Sequence, residues 1–434
     1  MNAKTQKVSV GDKLRRKYKY VDRSFILFLL TAFQVISFTP VIFSWDKIQF
    51  EIAVQLLIYI AFEWLYVGFM RYVVKKVNFE LEFIAFFLSG IGLCLIAGVE
   101  VDPTVKNNVA NMQKQLITVI AGVIVYDILL WFIMDVKRVM AIKTPLAIFA
   151  LCFLAGTFLY IRATGYVVNG AYNWLNLKFI TVQPSEFVKI AFVFVGAATL
   201  DKLLTAKNIY MYVLFAMGCI GVLFLMRDFG TALIFFFTFI VISFMRSGDV
   251  RTIIFICAAA LIGAILIIYF RPHVAARFEA YRHVWEDVYG SGYQQTRVLI
   301  YSVSGGLFGL GIGNGKLRHV YAQITDIVFG MICEEMGIVI AFLVVLIFVF
   351  LVIYALISSR SAPSTFYSIA ACAASAMLLF QICLNIFGIT DILPLTGVTL
   401  PFISQGGSSM ICSWALFAFI KSADIRAYPK FYKT

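Results

Sequence analysis

The stretch Arg271 to Gly337 gathers side chains able to do chemistry in a chain that is otherwise mostly apolar. It holds all three histidines, His273, His283 and His319, and the bases Arg271, Arg277, Arg282, Arg297, Lys316 and Arg318. One carboxylate, Asp326, stands where the chain re-enters an apolar segment, so chemistry is expected at this mouth. The clustered bases suit an anionic substrate, although a solvated or headgroup-facing set would look the same. Glycines at 292, 305, 306, 309, 311, 313 and 315 permit tight turns, and their exposed amides could cradle a phosphate. Ordinary membrane-surface turns also use such glycines. The histidines have no i,i+4 pair and no cysteine among them, which argues against a histidine metal site. Glu334 and Glu335 are expected to begin the following helix and to favour its N-terminal dipole.

Other polar groups sit where apolar residues dominate. An ionisable group at the centre of a membrane span costs roughly 2.5 kcal/mol or more, which makes each a candidate. Glu186 and Lys189 in QPSEFVK are three apart, on one helix face, and can pair. Pro184 and Ser185 suit the start of that helix. A structural ion pair joining two helices is the alternative. Asp228 beside Arg227, with Thr231 following, fits a helix start, and capping alone could explain it. Glu63 and Asp127 look like isolated structural carboxylates. In LPLTGVTLPFISQGGSSM, Gly406, Gly407 and Ser408 open a helix whose first amides could hold an anion. Pro394 and Pro401 fix an irregular, re-entrant-like backbone, tolerated at membrane depth only against protein or water.

The elements that must carry these residues are membrane helices. The chain is 62% hydrophobic and 14% charged, against about a quarter charged in soluble proteins. Its apolar runs approach the ~20 residues that a helix needs to cross hydrocarbon. Runs are expected at 25–45, 51–72, 80–99, 116–136, 141–161, 184–200, 208–226, 230–245, 251–270, 333–356, 366–388 and 402–421, giving an all-α polytopic protein of about twelve spans. The net charge of +13 would point to nucleic acid in a soluble chain. Here the bases gather in both tails and in short loops expected to be cytoplasmic, so no nucleic-acid partner is implied. The first run is too long for a signal peptide and lacks a small-x-small site. The eight cysteines lie in apolar runs and read as small buried hydrophobes. The expected organisation is a basic cytoplasmic tail (1–24), two N-terminal helices (25–78), a membrane core (79–421) and a cytoplasmic tail (422–434). Residues 271–332 form a large outer loop between expected helices nine and ten.

The motifs in order resemble the SEDS family of bacterial shape, division and sporulation proteins (RodA, FtsW, SpoVE). NGAYNW with Trp174, QPSEFVK, RDFGTA, GYQ with Gln294, GGLFGLG, Thr325–Asp326, EEMG, Asn385 and LPLTGVTLPFISQGGSS with Ser404 all follow the family's sequence. Arg227 replaces a usual Pro, Tyr172–Asn173 a commonly basic pair, and Gln405 a Tyr. Tyr321–Ile324 replaces Pro-Glu-x-His, and the first two spans lie outside the usual ten-helix core.

The resemblance implies a peptidoglycan glycosyltransferase that polymerises lipid II at the outer face of the bacterial cytoplasmic membrane. It maps the catalytic Asp onto Asp326 and implies a class B penicillin-binding transpeptidase as partner. Such a transfer inverts the anomeric centre in one displacement and needs one general base, because diphosphate leaves unprotonated. Substrate contacts are expected from Trp174, Glu186, Lys189, Asp228, Thr231, Arg271, Gln294, Lys316, Asn385, Ser404, Gly406 and Gly407. Charge for the diphosphate could come from these bases or from a Mg2+ or Mn2+ held by carboxylates; no organic cofactor is implied. A lipid II flippase, or a scaffold that activates a transpeptidase without catalysis, are the rival readings.

Overall fold

The structure is a computed structural model that describes residues 23–425, apart from 45–46, 77, 106–109, 166–172, 177–180, 201–205, 249, 252–253, 255–257, 259–280, 282 and 291. Arg271, Arg277, Arg282, His273, most of both tails and most of the expected 251–270 span therefore lie outside the described residues. The described chain forms α1 (Arg23–Ile42), α2 (Phe50–Tyr72), α3 (Glu80–Glu100), α4 (Met112–Ile133) and α5 (Val136–Thr164). A two-residue β-ladder pairs Leu175–Asn176 with Thr181–Val182. Then come α6 (Pro184–Leu200), α7 (Ala206–Leu225), α8 (Phe229–Ser247) and α9 (Tyr293–Ser304). The last three are α10 (Val328–Arg360), α11 (Thr365–Ile389) and α12 (Gly407–Ser422).

Local chemistry sets several of these ends. Asn111 caps α4 by accepting from the Lys114 amide at 2.7 Å, and Asp135 caps α5 through the Lys137 amide at 2.9 Å. Both satisfy donors that a helix start leaves without partners. Among the described residues, eight helices are long and apolar enough to cross a membrane: α1 to α5, α8, α10 and α11. Four of the twelve expected spans, 184–200, 208–226, 251–270 and 402–421, are not among these eight, and most of 251–270 lies outside the described residues. α6 has 17 residues and α12 has 16, and a 16-residue helix rises only about 24 Å. The physical reason at α12 is that residues 402–404, expected to be helical, form turns instead.

α12 is the buried axis of the bundle. It packs most extensively on α4, and also on α11, α6, α10 and α3. Trp414 at its centre is fully buried among Phe86, Tyr126 and Phe402. α3 is almost wholly enclosed, and its Gly92 lies so close to the non-helical chain before α12 that a Cβ would meet the Ile403 carbonyl oxygen at 2.2 Å. α1 and α2 pack against the edge made by α3 and α4. Tyr59 donates to the Phe86 carbonyl at 2.8 Å, and Gln34 donates to Glu63 at 2.8 Å. Tyr66 donates to Asp127 at 3.2 Å. The two carboxylates read as isolated thus each have a partner on a neighbouring helix.

The basic residues of the short loops are not all solvated. Lys76 and Lys421 are buried and flank Glu82, at 2.5 and 3.2 Å. Tyr126 donates to the same carboxylate, and Lys421 also donates to the Asn78 carbonyl at 2.8 Å. Asp424 accepts from Asn78 at 2.9 Å and from Tyr354 at 2.6 Å. Loop and tail fold back over the helix ends here, and a buried ammonium persists only with a charge partner. This cluster closes the end of α3 and α12 opposite the segment that precedes α12.

Candidate active site

The described part of the long polar stretch is folded. Its α9 presents Gln294 and Gln295 to different partners. Gln294 donates to the Tyr321 carbonyl at 2.9 Å, and Gln295 reaches the last carbonyls of α11, Gly388 and Ile389, at 2.8 and 2.9 Å. Residues 322–327 then wind around one oxygen: the amides of Thr325, Asp326 and Ile327 all point at the Ala322 carbonyl, at 3.2, 3.0 and 3.3 Å. Ala322 takes φ +58°, a left-handed conformation costly for a side chain with a Cβ. α10 begins only two residues after Asp326, five residues earlier than the apolar pattern indicates.

Three consecutive carbonyls of this turn are held from outside. Gln405 donates its amide to Ile324 O at 2.8 Å, Ser404 its hydroxyl to Thr325 O at 2.5 Å, and Asn385 its side-chain amide to Asp326 O at 2.8 Å. Asn385 also donates to the Val398 carbonyl at 2.7 Å, which ties α11 to the irregular 393–406 segment. Gly397, at φ +70°, lies against the carboxylate, so a Cβ built there would stand 3.3 Å from Asp326 Oδ2. Asp326 is half-buried and forms no ion pair among the described residues. Burial pushes its carboxyl up to about 6, and the Thr325 hydroxyl pulls only weakly the other way.

Two of the other expected groups, Glu186–Lys189 and Asp228–Thr231, converge on the same irregular segment. Glu186 and Lys189 pair at 2.7 Å inside the bundle, and Lys189 also donates to Gln381 at 2.8 Å. Gln381 passes the connection to Thr399 O at 2.9 Å, and Thr399 meets the Ser409 hydroxyl at 2.7 Å. Asp228 caps α8 through the Thr231 amide at 3.1 Å and also takes a bond from Asn173, whose amide donates to Ser185 at 2.7 Å. Gly230 packs on Thr396 and Val398, so the first turn of α8 touches the segment beside Gly397. Trp174 stays half-buried next to Asn173. The Lys316 side chain is exposed, while its amide donates to Glu334 at 2.6 Å.

Several expectations change. Glu334 and Glu335 do not start a helix. They lie in a π-helical segment, Ile332–Met336, inside α10, and turn back onto the glycine-rich loop. Glu334 accepts from the Lys316 and Leu317 amides at 2.6 and 2.9 Å, and Glu335 from Gly313 at 3.0 Å. Leu310 and Gly311 donate to the Glu334 and Glu335 carbonyls at 2.9 and 3.0 Å. The amides of Gly311 and Gly313 that could have cradled a phosphate are therefore already bound. Arg318 is not free for a diphosphate either. It pairs with buried Asp102 at 2.7 Å and donates to Gly313 O. Ser404 is committed to holding backbone, since it also accepts from the Leu400 amide at 2.8 Å. Gly406 has its amide taken by Gln115 at 3.2 Å, which leaves Gly407 as the first residue of α12.

Gln115, Gln295, Gln381, Thr399 and Ser409 were not singled out from the sequence. The signal was available for the glutamines: an amide side chain in or beside an apolar span needs partners and commonly bonds another helix.

The fold is that of a multi-pass, helical membrane protein whose site is built around a non-helical segment between its last two helices. Two solved structures share it. One is a chain from a peptidoglycan synthase complex that coordinates polymerization and crosslinking, with TM-score 0.65 and 22% identity, covering 82% of this chain and 99% of that one. The other is the crystal structure of the Thermus thermophilus rod shape determining protein RodA, with TM-score 0.58 and 21% identity, covering 82% and 98%. A family model for the cell cycle proteins FtsW, RodA and SpoVE matches residues 79–428, and the chain belongs to that family. Among its relatives, the stage V sporulation protein E of Bacillus subtilis is 29% identical over 344 residues, covering 76% of this chain and 92% of the relative. A probable peptidoglycan glycosyltransferase FtsW of Buchnera aphidicola is 32% identical over 276 residues, covering 61% and 69%. The peptidoglycan glycosyltransferase RodA of Mycobacterium tuberculosis is 26% identical over 351 residues, covering 77% and 75%. α1 and α2 precede the matched region.

Proposed function

We propose that this protein is a peptidoglycan glycosyltransferase that polymerises lipid II at the outer face of the bacterial cytoplasmic membrane, with Asp326 as general base. The observation that carries this reading is the Asp326 turn. Its carboxylate is half-buried and without an ion-pair partner among the described residues, while the backbone around it is fixed at three consecutive carbonyls. A general base works best with a pKa near the operating pH, and burial moves Asp326 in that direction. Relatives named as glycosyltransferases support the reaction class.

In this mechanism the acceptor hydroxyl gives its proton to Asp326 as its oxygen attacks the anomeric carbon. The bond from that carbon to the diphosphate oxygen breaks, and the lipid diphosphate leaves as an anion. The new linkage has inverted configuration. One carboxylate suffices because the leaving group needs no proton. Charge for it would come from exposed Lys316, from Arg297 and from Arg271. Lys189 is consumed by Glu186 and Gln381 and serves the framework of the irregular segment. Among the described residues no group of three or more His, Cys, Asp or Glu could hold a metal. A Mg2+ or Mn2+ held by carboxylates and the diphosphate itself would supply the same charge. The likeness to a chain of a complex that coordinates polymerization and crosslinking supports a class B penicillin-binding transpeptidase as partner.

The test is polymerisation of purified lipid II by the full chain with its cognate transpeptidase. Asp326→Asn should insert and fold yet make no glycan strands. Wild-type strand synthesis by Asp326→Asn would remove the assignment. Transbilayer movement of lipid II without strand synthesis by the wild-type chain would favour the carrier reading instead.

A further inference from the structure

We propose that Gln115, in the first turn of α4, is a positioning residue for Asp326. The inference rests on the reading of Asp326 as the base. The Asp326 turn hangs from the segment before α12 through the Ser404 hydroxyl on Thr325 O and the Gln405 amide on Ile324 O. That segment is not helical: Phe402 within it sits at φ +65°, and its own bonds at Ser404 run back to Leu400, so they fix only the near side of the two donors. The bonds that grip its far side come from Gln115. Its Nε2 donates to Ser404 O at 3.2 Å, and its Oε1 accepts from the Gly406 amide at 3.2 Å. The two bonds straddle Gln405, the residue whose amide reaches the Asp326 turn. Gln115 is buried, and both functions of its amide are used on this one strand of chain.

The connection is short: α4 to Ser404–Gly406, then to Ile324 and Thr325, then to the carboxylate. On the opposite side Asn385 of α11 holds Asp326 O and Val398 O, so the turn is clamped between α4 and α11. A helix-core role alone would need only that Gln115 fill its space. A positioning role needs its two hydrogen bonds, and these can be removed at nearly constant volume by Gln115→Met.

Among the described residues, the groups that face Asp326 are Thr325 from its own turn, Gly397 from the irregular segment and Asn385 from α11, none of which titrates in the relevant range. The acid limb of the rate profile therefore reports the environment of this carboxylate. With the clamp released, the turn loosens, water reaches the carboxylate, and the limb moves to lower pH.

The experiment measures polymerisation of lipid II by the full chain with its transpeptidase, together with thermal unfolding in detergent. For Gln115→Met we expect kcat to fall about tenfold, KM for lipid II to change less than about twofold, and the acid limb to shift down. A wild-type kcat and limb would overturn the proposal. So would a reduced kcat that tracks a lower melting temperature with the limb unmoved. If Gln115→Met does not fold, Gln115→Glu keeps the side-chain length and the acceptor for Gly406, and the same readouts decide. Asp326→Asn run in parallel separates the two claims. If it is active, the base assignment fails. If it is inactive while Gln115→Met behaves as wild type, only the Gln115 proposal fails.

Discussion

Gly397→Ala is the sharpest probe of the carboxylate's position. Two costs can be read from the structure. The first is backbone: φ is +70° at Gly397, where a Cβ costs about 1–2 kcal/mol. The second is local: the new methyl would lie 3.3 Å from Asp326 Oδ2, close enough that something must give by a few tenths of an ångström. The Asp326 backbone is held by Asn385, Ser404 and Gln405, so the carboxylate itself must yield. If 1–2 kcal/mol of reactive geometry is lost, the rate falls roughly 5- to 30-fold. Gly165→Ala supplies the control, because Gly165 has the same φ of +70° with nothing within 4 Å of a built Cβ. Both variants should lose comparable thermal stability, and only Gly397→Ala should lose polymerisation. Equal activity of Gly397→Ala and wild type, or an equal rate loss in Gly165→Ala, would refute the placement of the base against this segment.

Three further outcomes follow from the same geometry. Because the working form of Asp326 is the carboxylate, kcat/KM for polymerisation should be level above pH about 6 and fall about tenfold per unit below it, in a pH–rate series on lipid II. The same burial makes the charged form a liability to folding. With the folded value raised above the ordinary carboxylate value, the native state holds its proton over a wider range, and stability is lost as pH rises through about 6. Asp326→Asn should therefore melt above wild type at pH 8, and the gap should close between pH 6 and 4. Lys76→Met should lower stability by about 1–3 kcal/mol in detergent unfolding, less than an unpaired buried charge would cost, because Lys421 still neutralises Glu82. No loss on Lys76→Met would mean that the lysine contributes nothing net to the buried cluster.

The alternation of apolar runs and polar breaks decides the fold class here. Backbone groups in hydrocarbon must be satisfied within a helix, so run length and composition are enough to reveal spans such as α3, α4 and α11. The Glu186–Lys189 pair was legible because two residues three apart on a helix meet by local geometry alone. The capping role of Asp228 was legible for a similar reason. Asp326 stood out by position, and its assignment as a base leaned on resemblance.

What the tertiary structure decided is which polar atoms remain available. Arg318, Ser404, Gly311, Gly313 and Gly406 all carry groups suited to a ligand, yet each is occupied by a partner far away in sequence: Asp102, Thr325, Glu335 or Gln115. Lys76 read as a loop charge and Lys421 as a tail charge, and they turned out to share one buried glutamate. The start of α12 also depended on long-range contacts, because Ser404 and Gln405 are drawn out of the helix by bonds to the Asp326 turn. A sequence shows what each group could donate or accept within a helical turn. Whether that capacity is spent depends on chain brought near from 22 residues away at Gly313–Glu335 to 291 at Gly406–Gln115, and only the fold determines that.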